Sequence, residues 1–172
     1  DMPIIVGGPT ERAVLLEAGF RTVIIGGLPF AYVPPIGLGR RRDSLIAFLP
    51  HSLGYLTNND TYSHYLDYLH SIRNDFDLMY VCIYADDARK TDLLNELRRR
   101  ELNYLLGAQP DDRNSLIRIR CIFEQFEYVT GATMGSHLLY SAACGCKTSL
   151  AGPYIEENRE QWLRASGRST LT

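Results

Sequence analysis

The chain has 172 residues, 45% of them hydrophobic and 22% charged, and a formal net charge of −2. That is one domain of ordinary size and normal globular composition, long enough to bury a core. The charge excludes a basic field for nucleic acid or a polybasic handle for anionic lipid. No apolar run is long enough to span a bilayer, and no signal peptide is visible. The expected location is therefore cytoplasmic, or peripheral to a membrane in a full-length protein. Four cysteines, Cys82, Cys121, Cys144 and Cys146, lie in or beside apolar patterns with no CxxC pair and no histidine at zinc-site spacing. They read as buried, reduced thiols, and no metal site or cofactor motif is expected.

Pro3 to Val6 reads as a buried strand, stopped by Gly7-Gly8-Pro9. Thr10 is placed to cap a helix through Ala18, with Gly19 at its end. Thr22 to Ile25 is a second strand. Residues 29–39 hold three prolines and two glycines and read as a loop; the basic run Arg40-Arg41-Arg42 that follows reads as solvated loop, with phosphate contact as its alternative. Ser44 to Leu49 is a third strand, ending at Pro50-His51-Ser52. Asp60 to Ile72 carries Tyr and Leu at helical spacing. Leu78 to Tyr84 is a strong strand, ending at Ala85-Asp86-Asp87. Thr91 is placed to cap a helix through Arg100, and Tyr104 to Leu106 is a short strand. Ser115 to Phe126 reads as a helix with Leu116, Ile119, Phe123 and Phe126 toward one side. A strand ending near Val129 then breaks into Gly131-Ala132-Thr133-Met134-Gly135-Ser136-His137. A short helix to Ala143, a strand over Thr148 to Leu150 and a polar helix from Tyr154 to Ala165 close the chain.

Short, continuously apolar strands alternating with helices call for a mainly parallel sheet buried on both faces. The expected fold class is α/β: a Rossmann-like three-layer α/β/α arrangement. Residues 1–172 are expected to form a single domain, with 153–172 as a C-terminal helix and tail. Ligands of open parallel sheets bind beyond the carboxyl ends of the strands. The residues just after the strands are therefore the candidate site: Gly7, Gly8, His51, Ser52, Gly131, Thr133, Gly135, Ser136 and His137. The loop from Gly131 opens onto a helix N-terminus, where free N–H groups favour an anion. Glycines would let that backbone approach a phosphate, with Thr133, Ser136 and His137 as further donors. The competing reading is a tight turn in which Ser136 caps the helix. His51 is the candidate catalytic residue, as donor or acid toward a phosphate; a polar loop residue is its alternative. His64 and His70 read as packing or solvent-exposed residues of a helix. Asp86-Asp87 and Asp111-Asp112 read as helix caps. The loop is neither a GxGxxG fingerprint nor a Walker loop.

Residues 128 to 154 resemble the nucleotide-sugar-binding, C-terminal half of GT-B-type glycosyltransferases, closest to bacterial transferases of surface or capsular polysaccharide. The carriers are Thr130-Gly131-Ala132-Thr133-Met134-Gly135-Ser136-His137-Leu138-Leu139-Tyr140, then Gly145-Cys146-Lys147 and Gly152-Pro153-Tyr154. Leu49-Pro50-His51-Ser52 is similar to a second element, a histidine after an earlier strand that contacts the nucleotide phosphate in bacterial sialyltransferases. There the order is His-Pro; here it is Pro50-His51, and the acidic Asp/Glu-Asp-Gly motif is absent, which points away from a sialic acid donor. The resemblance implies a donor-binding domain that serves transfer of a sugar from a nucleotide-sugar to a hydroxyl acceptor on a glycan. It requires no metal, because helix N–H groups and His51 or His137 can take the phosphate charge, and no cofactor is expected. It also implies that the acceptor site lies on an N-terminal half of the same protein. Two other readings share the fold: a nucleotide-sugar epimerase, and a non-catalytic domain that binds a nucleotide or a partner.

Overall fold

The computed structural model describes residues 2–49, 59–109 and 111–153. The chain divides into two compact units, Asp1–Ile36 and Gly37–Thr172.

The first unit is a strand–helix–strand segment: β1 (Ile4–Val6), α1 (Pro9–Glu17) and β2 (Val23–Ile25). The strands pair in parallel, Ile4 with Val23 and Val6 with Ile25. Gly8, not Thr10, is the N-cap of α1, and Pro9 opens the helix. The fixed φ of proline suits that position, and its missing N–H costs nothing there. Gly19, at a φ of 94°, ends α1 in the left-handed conformation that glycine adopts without strain.

The second unit holds β3 (Arg41–Phe48), α2 (Asn59–Ile72), β4 (Leu78–Ile83), α3 (Thr91–Arg99), β5 (Tyr104–Leu106), α4 (Ser115–Gln125), β6 (Phe126–Gly131), α5 (Ser136–Ala143) and β7 (Lys147–Leu150). Among the described residues its five strands are all parallel, in the order β5-β4-β3-β6-β7. The chain starts on the central strand β3, steps outward through β4 to β5, then crosses back to β6 and β7. This is a Rossmann-like three-layer α/β/α sheet, and the direction of winding reverses between β3 and β6.

Period-two alternation assigns the two faces. Leu45, Ala47, Met79, Val81 and Ile83 pack with Tyr65, Leu66 and Leu69 of α2 and Leu97 of α3 in one buried cluster. The other face carries Ile46, Phe48, Tyr80, Cys82 and Val129 under α4 and α5. Ile119, Ile122 and Phe123 of α4 are buried there, and the Phe48 and Phe123 rings lie 5.6 Å apart. Strands so covered read as near-continuous apolar runs, which is why they were legible.

Several boundaries differ from the sequence reading. Arg41 and Arg42 begin β3 instead of lying in a loop, and the pairing with β6 shifts register between Arg41 and Leu45. Arg40 donates to the carbonyls of Cys144 and Gly145, both at 2.6 Å. A cation there complements the C-terminus of α5. Lys90, not Thr91, is the N-cap of α3. No loop separates α4 from β6, which starts at Phe126. Arg100, whose side chain is 4% exposed, joins α2 to α3 through Asp67 at 2.7 Å, Ser63 at 2.8 Å and Glu96.

Candidate functional site

In the parallel register, Leu105, Cys82, Phe48, Gly131 and Leu150 stand side by side across the carboxyl end of the sheet. Above this row, on the face of α4 and α5, lies a cavity of about 600 Å³. Its floor is Phe48 and Cys82, its side wall Ile119 and Phe123, and its rim the loop of Thr133 to Ser136 with His137. The position is beyond the paired ends of β3 and β6, where the winding reverses, the place at which open α/β sheets bind ligands. The volume lies in the range of small-molecule sites, and the lining is mainly apolar and aromatic with a few polar groups at one end.

Each element contributes for a local reason. Gly107, just after β5, comes so close to Cys82 that a Cβ there would stand 2.8 Å from the thiol sulfur. Only glycine allows that approach without a shift. Burial pushes the Cys82 thiol up to about 12, so it is a neutral apolar surface and not a nucleophile. The Tyr84 phenol is raised by desolvation first, and then by the carboxylates of Asp86, Asp111 and Asp87. It stays protonated at the rim. Asp87 itself is buried and ion-paired with Lys90 at 3.0 Å. Asp112 accepts from the Asn114 N–H at 2.8 Å and from Arg118 at 3.1 Å, which holds the approach to α4. Asp87 and Asp112 thus have structural work, but not as helix caps: Asn114 is the N-cap of α4, and Asp86, which precedes a short 3-10 turn, makes no side-chain cap hydrogen bond.

The sequence-derived site residues divide into three groups. Gly131, Thr133, Gly135, Ser136 and His137 are brought together at the end of β6 and the start of α5, and all but Gly131 line the cavity. Gly7 and Gly8 belong to the first unit and share no sheet with that loop. The space beside both is taken by the carboxylate of Glu11, which would stand 3.1 Å from a Cβ at Gly8. An acid in the first turn already answers the N-terminal dipole of α1. His51 and Ser52 lie outside the described residues. His64 and His70 are exposed on α2, as expected, and His70 Nδ1 lies 2.8 Å from the Arg100 carbonyl oxygen.

The loop itself corrects one expectation. Gly135 is the N-cap of α5, with extended backbone, and Ser136 is the first helical residue, exposed to solvent. Ser136 therefore does not cap the helix. Neither Gly131 nor Gly135 has a positive φ. Both are small because of His137: a Cβ at Gly131 would collide with Nε2, and a Cβ at Gly135 would stand 2.8 Å from Nδ1. The imidazole folds back beneath the loop and stacks on Phe48, with centroids 5.1 Å apart and planes 15° from parallel. Its Nε2 is sealed from solvent.

Sequence reading missed Phe48, Cys82, Gly107, Ile119 and Phe123 as lining residues. Ile119 and Phe123 were visible as an apolar helix face, but that pattern says only that the face is covered. Gly107 ends a short strand and was available as a signal. Among the described residues no group of three or more His, Cys, Asp or Glu side chains stands where it could hold a metal ion. Among the same residues no helix is long and apolar enough to cross a membrane.

The chain matches no family model, no curated protein and no solved structure.

Proposed function

We propose that the second unit binds a nucleotide, and that it serves as the donor-binding half of a nucleotide-sugar glycosyltransferase. The observation that carries this reading is the cavity of about 600 Å³ at the winding reversal of a parallel sheet, rimmed by the loop that opens α5. Phe48, Leu116 and Ile119 offer flat and aliphatic surface for a base. Thr133 and Ser136 offer hydroxyls at the end where α5 presents its first N–H groups, which suits a phosphate. In group transfer such donors stabilise the departing nucleotide phosphate. The sugar would leave the phosphate for a hydroxyl of a glycan acceptor held outside this unit.

A thermal-shift panel of UDP-, GDP- and CMP-sugars with the bare nucleotides tests the reading. A ligand at a hundred times its Kd adds about 2.7 kcal/mol of stability. For a chain of this length that is a rise in Tm of roughly 5–10 °C. A rise with one nucleotide family, and turnover of its sugar in the full-length protein, is the expected result. No shift with any member at millimolar concentration sinks the nucleotide reading. Binding without transfer leaves a nucleotide-binding domain and sinks the transferase.

A further inference from the structure

Gly131 is a gap in an otherwise filled row. Its cross-strand neighbour Phe48 carries a ring, and beyond Phe48 stands Cys82. The vacancy left by the missing side chain is filled from elsewhere, by the imidazole of His137 six residues on. A leucine at position 131 would bury as much apolar surface without any polar atom. The backbone at 131 would accept it, since its φ is not positive. Packing alone therefore does not call for the glycine–histidine pair. What the pair adds is a connection. His137 belongs to α5, Gly135 is its N-cap, and Phe48 belongs to the central strand β3. The ring occupies the space that side chains at Gly131, the end of β6, and at Gly135, the N-cap, would take, and its face lies on Phe48 of β3.

We propose that His137 is the positioning residue of the cavity: by filling the place vacated at Gly131 it latches the loop of Thr133 to Ser136 onto the sheet and fixes the loop's height over the ligand. The idea deepens the nucleotide-binding reading and rests on it for its functional consequence, though not for its structural one. A loop held against the sheet by this ring presents Thr133 and Ser136 in one geometry, and pre-organisation of that kind lowers the ordering cost of binding. Both glycines are then part of the latch, and Gly131, which does not line the cavity, is no ligand contact. A side chain at either position expels the ring from its seat, toward the cavity that it borders.

The test exchanges the two residues. In Gly131→Leu/His137→Ala the row is refilled from the sheet and the latch is gone. Its melting temperature is expected to stay near that of the wild type. Amide hydrogen exchange over residues 132–136, measured without ligand, should quicken at least tenfold. Affinity for whichever of UDP, GDP or CMP the wild type binds should fall at least tenfold. Unchanged loop exchange in a folded swap variant overturns the proposal, whatever happens with nucleotides. Faster exchange with unchanged affinity also overturns it, because the loop would then not position the ligand. If the wild type binds no nucleotide, the functional reading fails, and the exchange measurement still decides the latch. Should the swap not fold, His137→Leu takes its place: it keeps apolar bulk against Phe48 but removes the ring, and the same quickening is expected.

Discussion

Ser136 separates binding from stability more cleanly than any other residue of the loop. It is the first residue of α5, is exposed, and leaves the N-cap position to Gly135. Ser136→Ala therefore removes no cap, and exposed substitutions of this kind stay within about 0.5 kcal/mol. At this chain length that keeps Tm within roughly 2 °C of wild type. If the hydroxyl donates to a ligand phosphate, the bond lost is charge-assisted and worth about 1.5–3 kcal/mol. At about 1.4 kcal/mol per decade, affinity falls roughly ten- to a hundredfold. Isothermal titration with the nucleotide found in the thermal panel measures this, beside Leu139→Ala, an exposed α5 residue away from the cavity lining. Ser136→Ala binding within twofold of wild type, with Tm unchanged, refutes the hydroxyl's role. Gly135→Val cannot serve the same purpose. Its Cβ would press on His137 Nδ1 and disturb the loop with or without a ligand.

Phe123→Ala removes a fully buried ring from the contact with Phe48 and should cost about 3–5 kcal/mol in a urea titration; a loss below about 1 kcal/mol would show that this side of the core is not packed as described. Cys82 is 3% exposed with its thiol pushed up to about 12, so labelling by iodoacetamide at pH 8 should be at least a thousandfold slower than in the unfolded chain. Equal rates would contradict the buried floor of the cavity. Among the described residues, four carboxyls are held below their ordinary range: Asp67 and Glu96 chiefly by hydrogen bonds from Arg100, Asp112 by the Asn114 N–H, and Glu127 by Lys147. A depressed carboxyl stabilises the fold above its unfolded pKa and loses that effect as pH falls through its folded value. Tm should hold down to about pH 5 and drop below about pH 4, given ordinary carboxyl values near 4; a Tm that rises on that acidification would reverse the sign of the argument.

The fold was legible where one rule controls both sequence and structure. Leu78 to Tyr84 reads as an apolar strand because both faces of β4 (Leu78–Ile83) are covered, and the same coverage makes it a strand. Boundaries were less legible where side chains compete for one position. Pro9 displaced Thr10 from the start of α1, and Thr91 moved inside α3, because capping preferences rank residues but do not fix the register. The start of β3 was hidden by charge. Arg41 and Arg42 look like loop residues, yet the strand begins there, since exposed strand ends tolerate any polar side chain.

The loop after β6 was legible as a site and misleading as a mechanism. A phosphate cradle and a seat for a side chain make the same demand on sequence, which is a glycine where space is needed. Sequence alone counts the glycines but does not say what enters the space. At Gly131 and Gly135 the occupant is the imidazole of His137. This removes the glycines as evidence for an anion and strengthens a different line. The histidine is no longer one donor among several at a helix N-terminus; it is the piece that joins β3, β6 and α5 at the point where the sheet reverses direction. Any ligand in the cavity therefore meets a loop whose position is set by one aromatic stack. A change at Phe48 should then reach the loop as surely as a change within it. Phe48→Leu, which keeps the row filled but gives the imidazole no parallel ring to lie on, is expected to loosen residues 132–136 while leaving β3 paired. Hydrogen exchange that quickens across β3 and β6 as well would mean that the ring holds the sheet and not the loop.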